Sequence, residues 1–165
     1  MYNTHQSVGL VETPSLPINR VVESLQVSRL MTATPITVNP DTPLHHAQTL
    51  MQQHRLAYLP VVNNGQLVGV LTDRDVQTYS PSPATSLSKW ELNYLLDKLT
   101  VHDVMTSDVV TVTPDSTVAE AIRLMLTHRL GALPVVEAQQ LVGILSQADI
   151  LQAFLEIPTT EPLAV

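Results

Sequence analysis

The feature that most constrains this chain is an internal repeat, because residues 31–76 align with residues 105–150 at a constant offset of 74 positions. The alignment needs no gap, and 22 of its 46 positions are identical. Self-similarity of this kind indicates two copies of one supersecondary unit. The matches include two four-residue runs, in which Leu59-Pro60-Val61-Val62 recurs as Leu133-Pro134-Val135-Val136 and Gln66-Leu67-Val68-Gly69 recurs as Gln140-Leu141-Val142-Gly143.

Each copy predicts the same order of elements, β-α-β-β-α. A short extended piece (36–38, and 110–112 in the second copy) precedes a helix whose apolar residues recur at helical spacing. Two strands follow, at 58–62 and 67–71 in the first copy, and a closing helix begins after Thr72 or Ser146. Asn63-Asn64-Gly65 predicts a tight hairpin turn because Asn and Gly tolerate positive φ, whereas Glu137-Ala138-Gln139 is a weaker turn signal.

One such unit buries too little apolar surface to be stable alone. The sequence therefore predicts an α/β (α+β) fold in which two β-α-β-β-α repeats pack sheet against sheet about a pseudo-two-fold axis. The expected organisation is an N-terminal arm (1–26), repeat 1 (27–77), a linker with a helix (78–98), repeat 2 (99–152) and a C-terminal tail (153–165).

The linker should contain a Ser- and Pro-rich turn over 79–85 and then a helix that begins at a capping box of Ser88 and Glu91. Apolar residues indicate that this helix packs on the rest of the molecule: Trp90, Leu92, Tyr94, Leu95, Leu96 and Leu99.

The composition argues against several classes of partner. Fifteen acidic residues against eight Lys and Arg give a net charge of -7, which disfavours nucleic acid and anionic membranes. The chain has no cysteine, which excludes disulfides, thiolate catalysis and Cys-bound zinc. Neither a signal peptide nor a run of about 18 apolar residues is present, so we expect a cytoplasmic protein.

A hydroxyl residue followed three positions later by Asp occurs once in each copy, as Thr72 with Asp75 and as Ser146 with Asp149. A hydroxyl beside the free N–H groups of a helical first turn favours a phosphate. An Asp one turn along the same face can accept hydrogen bonds from two vicinal hydroxyls, such as those of a ribose. The alternative is that these residues only cap their helices.

The segments that contain these pairs, 69–75 and 143–149, resemble the Gly-x-x-[Ser/Thr]-x-x-Asp signature of CBS (cystathionine β-synthase) domains. Together with the repeated His-Arg and Leu-Pro-Val-Val elements, they make the chain similar to a tandem CBS pair, or Bateman module, of the stand-alone bacterial type. The resemblance implies a regulatory module that binds AMP, ADP or ATP in clefts between the repeats and signals to a partner protein. It also implies a homodimer formed through helical faces.

The resemblance also implies which residues meet in each cleft. Thr34, Asn39, Ala57 and Tyr58 should face Ser146 and Asp149. Asp108, Thr113, Gly131 and Ala132 should face Thr72 and Asp75, with Arg74 in the same cleft. Phosphate contacts are expected from His54, Arg55, His128 and Arg129. Because Asp108 stands where the other cleft has Thr34, the Ser146 cleft should hold phosphate more tightly.

Three other interpretations remain open. The chain can be an assembly module without a ligand, a sensor of another adenosyl compound such as S-adenosylmethionine or NADH, or an enzyme, although no motif suggests catalysis. Adjacent His45 and His46 cannot share a helical face, so no metal site is expected there. Asp73 and Asp75 can hold Mg²⁺ together with a nucleotide.

Overall fold

The computed structural model of this protein describes residues 17–79 and 88–156. Residues 1–16 of the predicted arm, residues 80–85 of the predicted turn over 79–85 and the tail after residue 156 lie outside the described residues, while Tyr79 is the last residue of a helix. The helices are α1 (Pro17–Ser24), a 3₁₀ helix (Val27–Arg29), α2 (Leu44–His54), α3 (Asp73–Tyr79), α4 (Lys89–Lys98), α5 (Val101–Val104), α6 (Val118–His128) and α7 (Gln147–Glu156). The strands are β1 (Thr32–Ala33), β2 (Tyr58–Asn63), β3 (Gln66–Thr72), β4 (Ala132–Glu137) and β5 (Gln140–Ser146).

Both predicted hairpins are present. β2 pairs with β3, and β4 pairs with β5, in antiparallel ladders that run through equivalent positions. In the first turn Asn64 and Gly65 have φ of 50° and 83°, as the sequence indicates. The second turn has the same form although its residues are Ala138 and Gln139, with φ of 47° and 67°. The repeat therefore imposes the turn shape where the local sequence favours it only weakly.

The two predicted extended pieces form isolated β-bridges and not strands. Within 36–38 and 110–112, only Val38 and Val112 pair, each through one parallel bridge to Val61 or Val135. The first strand of the structure is instead β1, which pairs antiparallel with Ile144 and Gly143 of β5. A strand of repeat 1, β1, thus pairs with a strand of repeat 2, β5.

The two hairpins also join at their turn ends, which the sequence did not predict. Gln66 of β3 pairs with Gln140 of β5, and the Leu141 N–H donates to the Gly65 carbonyl at 3.3 Å. This pair joins the strands of both repeats into one five-stranded sheet.

Each repeat completes the core of the other. Val27, from the segment that leads into repeat 1, is fully buried in the core formed by α6, β4, β5 and α7. Val101 and Val104, which lead into repeat 2, are buried in the core of α2, β2, β3 and α3. Backbone hydrogen bonds fix both crossings, from Val118 N to Leu25 O and from Leu44 N to Leu99 O, each 2.8 Å long.

Two methionines, Met31 and Met105, pack the segments that lead into the repeats against the sheet. A Cβ on Gly143 would lie 2.6 Å from Met31 Sδ, and one on Gly69 would lie 2.5 Å from Met105 Sδ. The absence of a side chain lets the neighbouring repeat approach this closely. The repeated Met-Thr and Val-Gly pairs of the sequence are therefore the two halves of one inter-repeat contact.

The outer helices differ from expectation. Residues 17–24 of the predicted arm form α1, which packs against α6, while α4 packs against α2 at the equivalent place. Leu99 packs on the first core, as predicted. Trp90 is 85% exposed and Tyr94 58% exposed, so these two do not pack inward. Lys98 Nζ lies 4.4 Å from the Tyr94 ring centre. The side chains of Leu92, Leu95 and Leu96 lie outside what the structure describes.

Candidate ligand-binding site

The two hydroxyl–carboxylate pairs have nearly identical geometry. Ser146 N and Ser146 Oγ donate to Asp149 Oδ2 at 2.7 and 2.6 Å, and Asp149 N donates to Ser146 Oγ at 3.2 Å. Thr72 and Asp75 form the same three bonds at 2.9, 2.7 and 3.2 Å. Each pair is a reciprocal cap at the start of α7 or α3. In both carboxylates only Oδ2 is used by the described residues, so Oδ1 is open to another donor.

The same cap occurs at two exposed helix starts. Hydrogen bonds from the Thr100 backbone N–H and hydroxyl lower the pKa of Asp103. Those from the Ser88 hydroxyl and N–H lower the pKa of Glu91. In all four pairs a backbone N–H and a hydroxyl donate to one carboxylate oxygen, so this arrangement by itself does not make a ligand site.

A cavity of about 510 Å³ lies beside one of these pairs, Ser146 and Asp149. We call it the Ser146 cavity. Ser146 and Asp149 line it from repeat 2, and the predicted site residues Thr34, Ala57 and Tyr58 line it from repeat 1. Neither Thr72 nor Asp75 lines this cavity or either of the two smaller ones that the structure describes.

Arg55 supplies positive charge to the Ser146 cavity. It follows the last residue of α2 in a left-handed conformation, φ 54°, and the next residue, Leu56, donates its N–H back to Met51 O at 2.8 Å. Gly is the usual residue in this position, and a side chain here costs about 1 kcal/mol or more. An exposed Arg retained in a strained conformation beside a cavity is a candidate for ligand contact.

Gly131 and Ala132, which were predicted to face Thr72 and Asp75, line the same cavity as Ser146. They lie there because β4 pairs with β5 in a register that puts Ala132 directly opposite Ser146. Tyr58 reaches across from repeat 1, and a Cβ on Gly131 would collide with its hydroxyl. The missing side chain of Gly131 therefore leaves room for the Tyr58 side chain.

Asp108 is also displaced from its predicted position. It lines a second cavity of about 380 Å³, near the hairpin turns, together with Gln66, Leu67 and Gln139. The equivalent Thr34 has φ of 49°, whereas Asp108 has no positive φ, so the chain takes different paths after Thr32 and Thr106. The predicted repulsion between Asp108 and a phosphate beside Thr72 loses its geometric basis.

Several other predicted residues do not line the Ser146 cavity. Asn39 Oδ1 accepts the Asp41 N–H at 3.0 Å, and Thr113 Oγ1 lies 3.3 Å from Ser116 Oγ, so both belong to turns before a helix. The exposed His54 and His128 are the last residues of their helices, one position before the chain reverses. Arg129 has the backbone of Arg55 but lines none of the three cavities, and Arg74 lies exposed on α3.

Sequence reasoning missed the apolar wall of the cavity. One residue of this wall is Ile36, an apolar residue of the predicted extended piece. The structure shows that its side chain is 37% exposed and does not lie in the core. The wall residues come from both repeats: Pro35, Ile36, Leu56, Pro60 and Ile144.

Within residues 17–79 and 88–156 there is no cluster of three or more side chains suited to a metal. His45 Nδ1 instead lies 3.0 Å from Asp97 Oδ1, which links α2 to α4 without hydrogen-bond geometry. Asp73 Oδ2 accepts from Gln77 Nε2 at 2.6 Å. The helices described are all too short or too polar to cross a bilayer.

Comparison with known proteins gives a consistent picture. A family model of the CBS domain matches residues 27–82 and 101–156. A CBS domain-containing protein of Bacillus subtilis, YhcV, is 32% identical over 124 residues, which are 75% of this chain and 81% of that protein. The crystal structure of CBSX2 in complex with AMP aligns with a TM-score of 0.67 and 31% identity, over 81% of this chain and 98% of the other. The CBS domain pair of protein MJ0100, in complex with methylthioadenosine and S-adenosyl-L-methionine, aligns with a TM-score of 0.64 and 25% identity, over 78% and 94%.

Proposed function

Because this chain belongs to the CBS-domain family and carries the domain twice, we propose that it binds an adenine nucleotide in the Ser146 cavity and regulates a partner protein. The observation that carries the proposal is the union, in one cavity, of the Asp149 carboxylate, the Arg55 guanidinium and an apolar wall. These three groups match the three parts of a nucleotide. A volume of about 510 Å³ falls in the range of small-molecule sites.

The ribose is assigned to Asp149. Its Oδ1 has no partner among the described residues, so it can accept from a ribose hydroxyl while Oδ2 keeps capping α7. Both functions of the carboxylate are then satisfied at once, and the helix start needs no rearrangement when ligand arrives.

The phosphate is assigned to Arg55 and the base to the apolar wall. A guanidinium can donate two parallel hydrogen bonds to phosphate oxygens. Ile36 and Ile144 offer an apolar surface that an adenine ring can cover, and burial of apolar area contributes about 25 cal/mol per Å².

A second adenosyl ligand class has specific support, because the similar MJ0100 pair was solved with methylthioadenosine and S-adenosyl-L-methionine. Asp149 would hold the ribose of those compounds equally well. They lack a phosphate, so they would not use Arg55 in the same way.

The partner can be a second copy of the chain, a target protein, or both. Leu126 on α6 and Leu151 and Leu155 on α7 are 71%, 65% and 81% exposed. A homodimer through these helices would cover them, as apolar patches at interfaces usually are. We propose that the protein acts in the cytoplasm as a regulator.

The experiment is native mass spectrometry of protein purified from cells, followed by thermal-shift titration with AMP, ADP, ATP, S-adenosylmethionine and NADH. A bound adenosyl compound should raise the melting temperature in proportion to the logarithm of its concentration. GMP is the control for the base, since it shares the ribose and the phosphate. If no adenosyl compound binds while the dimer forms normally, the chain is an assembly module and the proposal fails.

A further inference from the structure

We infer that the Ser146 cavity selects a nucleoside that carries one phosphate over those that carry two or three. The inference rests on the proposed function and adds a choice among its ligands. It follows from counting the charges that face the cavity.

Among the described residues that line the cavity, Arg55 is the only cation and Asp149 the only carboxylate. Asp149 belongs to the ribose, so a single guanidinium remains for the phosphate. The other basic side chains of the predicted phosphate site, His54, His128 and Arg129, do not line the cavity.

One guanidinium can pair in a bidentate manner with one phosphate group, which carries close to two negative charges at neutral pH. Every further phosphate adds negative charge that no side chain of the cavity neutralises. The chain as a whole carries a net charge of -7, so the surrounding field opposes this added charge. A single unneutralised charge at the edge of a protein site lowers affinity by about tenfold.

The equivalent position in repeat 1 carries a cation that the Ser146 cavity does not have. The offset of 74 positions puts Arg74 of α3 in the place of Ala148 of α7. Ala148 is exposed and lines the cavity one residue before Asp149, so a longer side chain there has room to extend. A cation at position 148 would be the second positive charge that a di- or triphosphate requires.

The test is calorimetric titration of the full chain with adenosine, AMP, ADP and ATP, with and without Mg²⁺. Without Mg²⁺ we expect AMP to bind most tightly and ATP to bind about tenfold more weakly, or worse. Mg²⁺ neutralises part of the added phosphate charge, so it should reduce the difference in affinity between AMP and ATP. Ala148→Arg should raise the affinity for ATP more than that for AMP, so the ratio of the two affinities should fall. Ala148→Gln adds length without charge, so it should leave the ratio of the AMP and ATP affinities unchanged.

Arg55→Gly tests the role of the guanidinium. Glycine suits the left-handed backbone at this position, so the variant should fold at least as well as the parent. AMP should then bind no better than adenosine.

The outcomes separate the inference from the proposed function. Binding of ATP as tight as that of AMP without Mg²⁺ overturns the selectivity and leaves nucleotide binding intact. Equal gains for AMP and ATP in Ala148→Arg also overturn it. If neither adenosine nor any nucleotide binds, the proposed function fails, and the selectivity fails with it.

Discussion

The surroundings of Ser146 and of Thr72 differ far more than the two residues do. Both cap a helix, and both bond to an Asp three residues later with distances that agree within 0.2 Å. Only the Ser146 pair lines a cavity of those the structure describes, because Tyr58, Thr34 and Arg55 of repeat 1 meet it there. The comparison teaches that the repeated motif supplies a well-formed helix start, while the non-equivalent residues of the other repeat decide whether it is a site.

The largest expected difference between the two pairs is in ligand affinity. Asp149→Ala should weaken nucleotide binding about ten- to a hundred-fold, the cost of one charge-assisted hydrogen bond. Asp75→Ala should leave the affinity nearly unchanged, and calorimetry of both variants measures this. Asp103→Ala is the matched control, since it removes an equivalent cap at an exposed helix start. Equal losses in Asp75→Ala and Asp149→Ala would make the two sites equivalent and refute the comparison.

A smaller effect is expected where Tyr58 crosses to Gly131. Gly131→Ala should lower the free energy of unfolding by about 1–3 kcal/mol, because the new Cβ overlaps the tyrosine hydroxyl. Chemical denaturation measures the change. In a Tyr58→Ala background the same substitution should cost much less, and this coupling is the decisive quantity. Additive losses would mean that the contact does not join the repeats. Ala57→Gly, at the equivalent position of repeat 1, is the control.

Replacement by Gly should change the free energy of unfolding in opposite directions at Thr34 and Asp108, because the backbone conformation differs at these two equivalent positions. Thr34→Gly should raise the free energy of unfolding by about 1 kcal/mol, because it relieves a β-branched residue at positive φ. Asp108→Gly should lower it by about 0.5–1 kcal/mol, because Gly only adds flexibility to the unfolded chain. Urea titrations of the two variants give both numbers. Changes of the same sign would show that the two backbones do not differ in strain.

The smallest effect concerns acid stability of the segments that lead into the repeats. The backbone N–H of Thr100 above all, and then its hydroxyl, keep the pKa of Asp103 below its ordinary value. The stabilisation is therefore complete above the pKa of the unfolded state and is lost as the pH falls through the folded pKa. Asp103→Asn should flatten the loss of melting temperature on acidification. Arg29→Gln, at the equivalent position in repeat 1, should not flatten it. An unchanged acid slope in Asp103→Asn would rule out this cap as its source.

The sequence predicted the features that the two repeats share better than the features that distinguish them. The hairpins, the two long helices of each repeat and the caps at Thr72 and Ser146 follow from local patterns, because turn residues, apolar spacing and hydroxyl–carboxylate pairs act within a few positions. The placement of Gly131, Ala132 and Asp108 did not follow, since it depends on strand register and on the backbone path after Thr34. The exchange of Val27 and Val101 between the cores involves long-range contacts that no local pattern encodes.

The crossing of these lead-in segments has a consequence for synthesis of the protein on the ribosome. The core of repeat 1 is complete only when Val101 and Val104 have emerged, well after its own strands and helices. Val27 emerges early, yet its binding place on repeat 2 includes Ile150, near the end of the described chain. Val27 must therefore wait for the residues up to Ile150, and neither repeat can finish folding as an independent unit. The two repeats then complete their cores together.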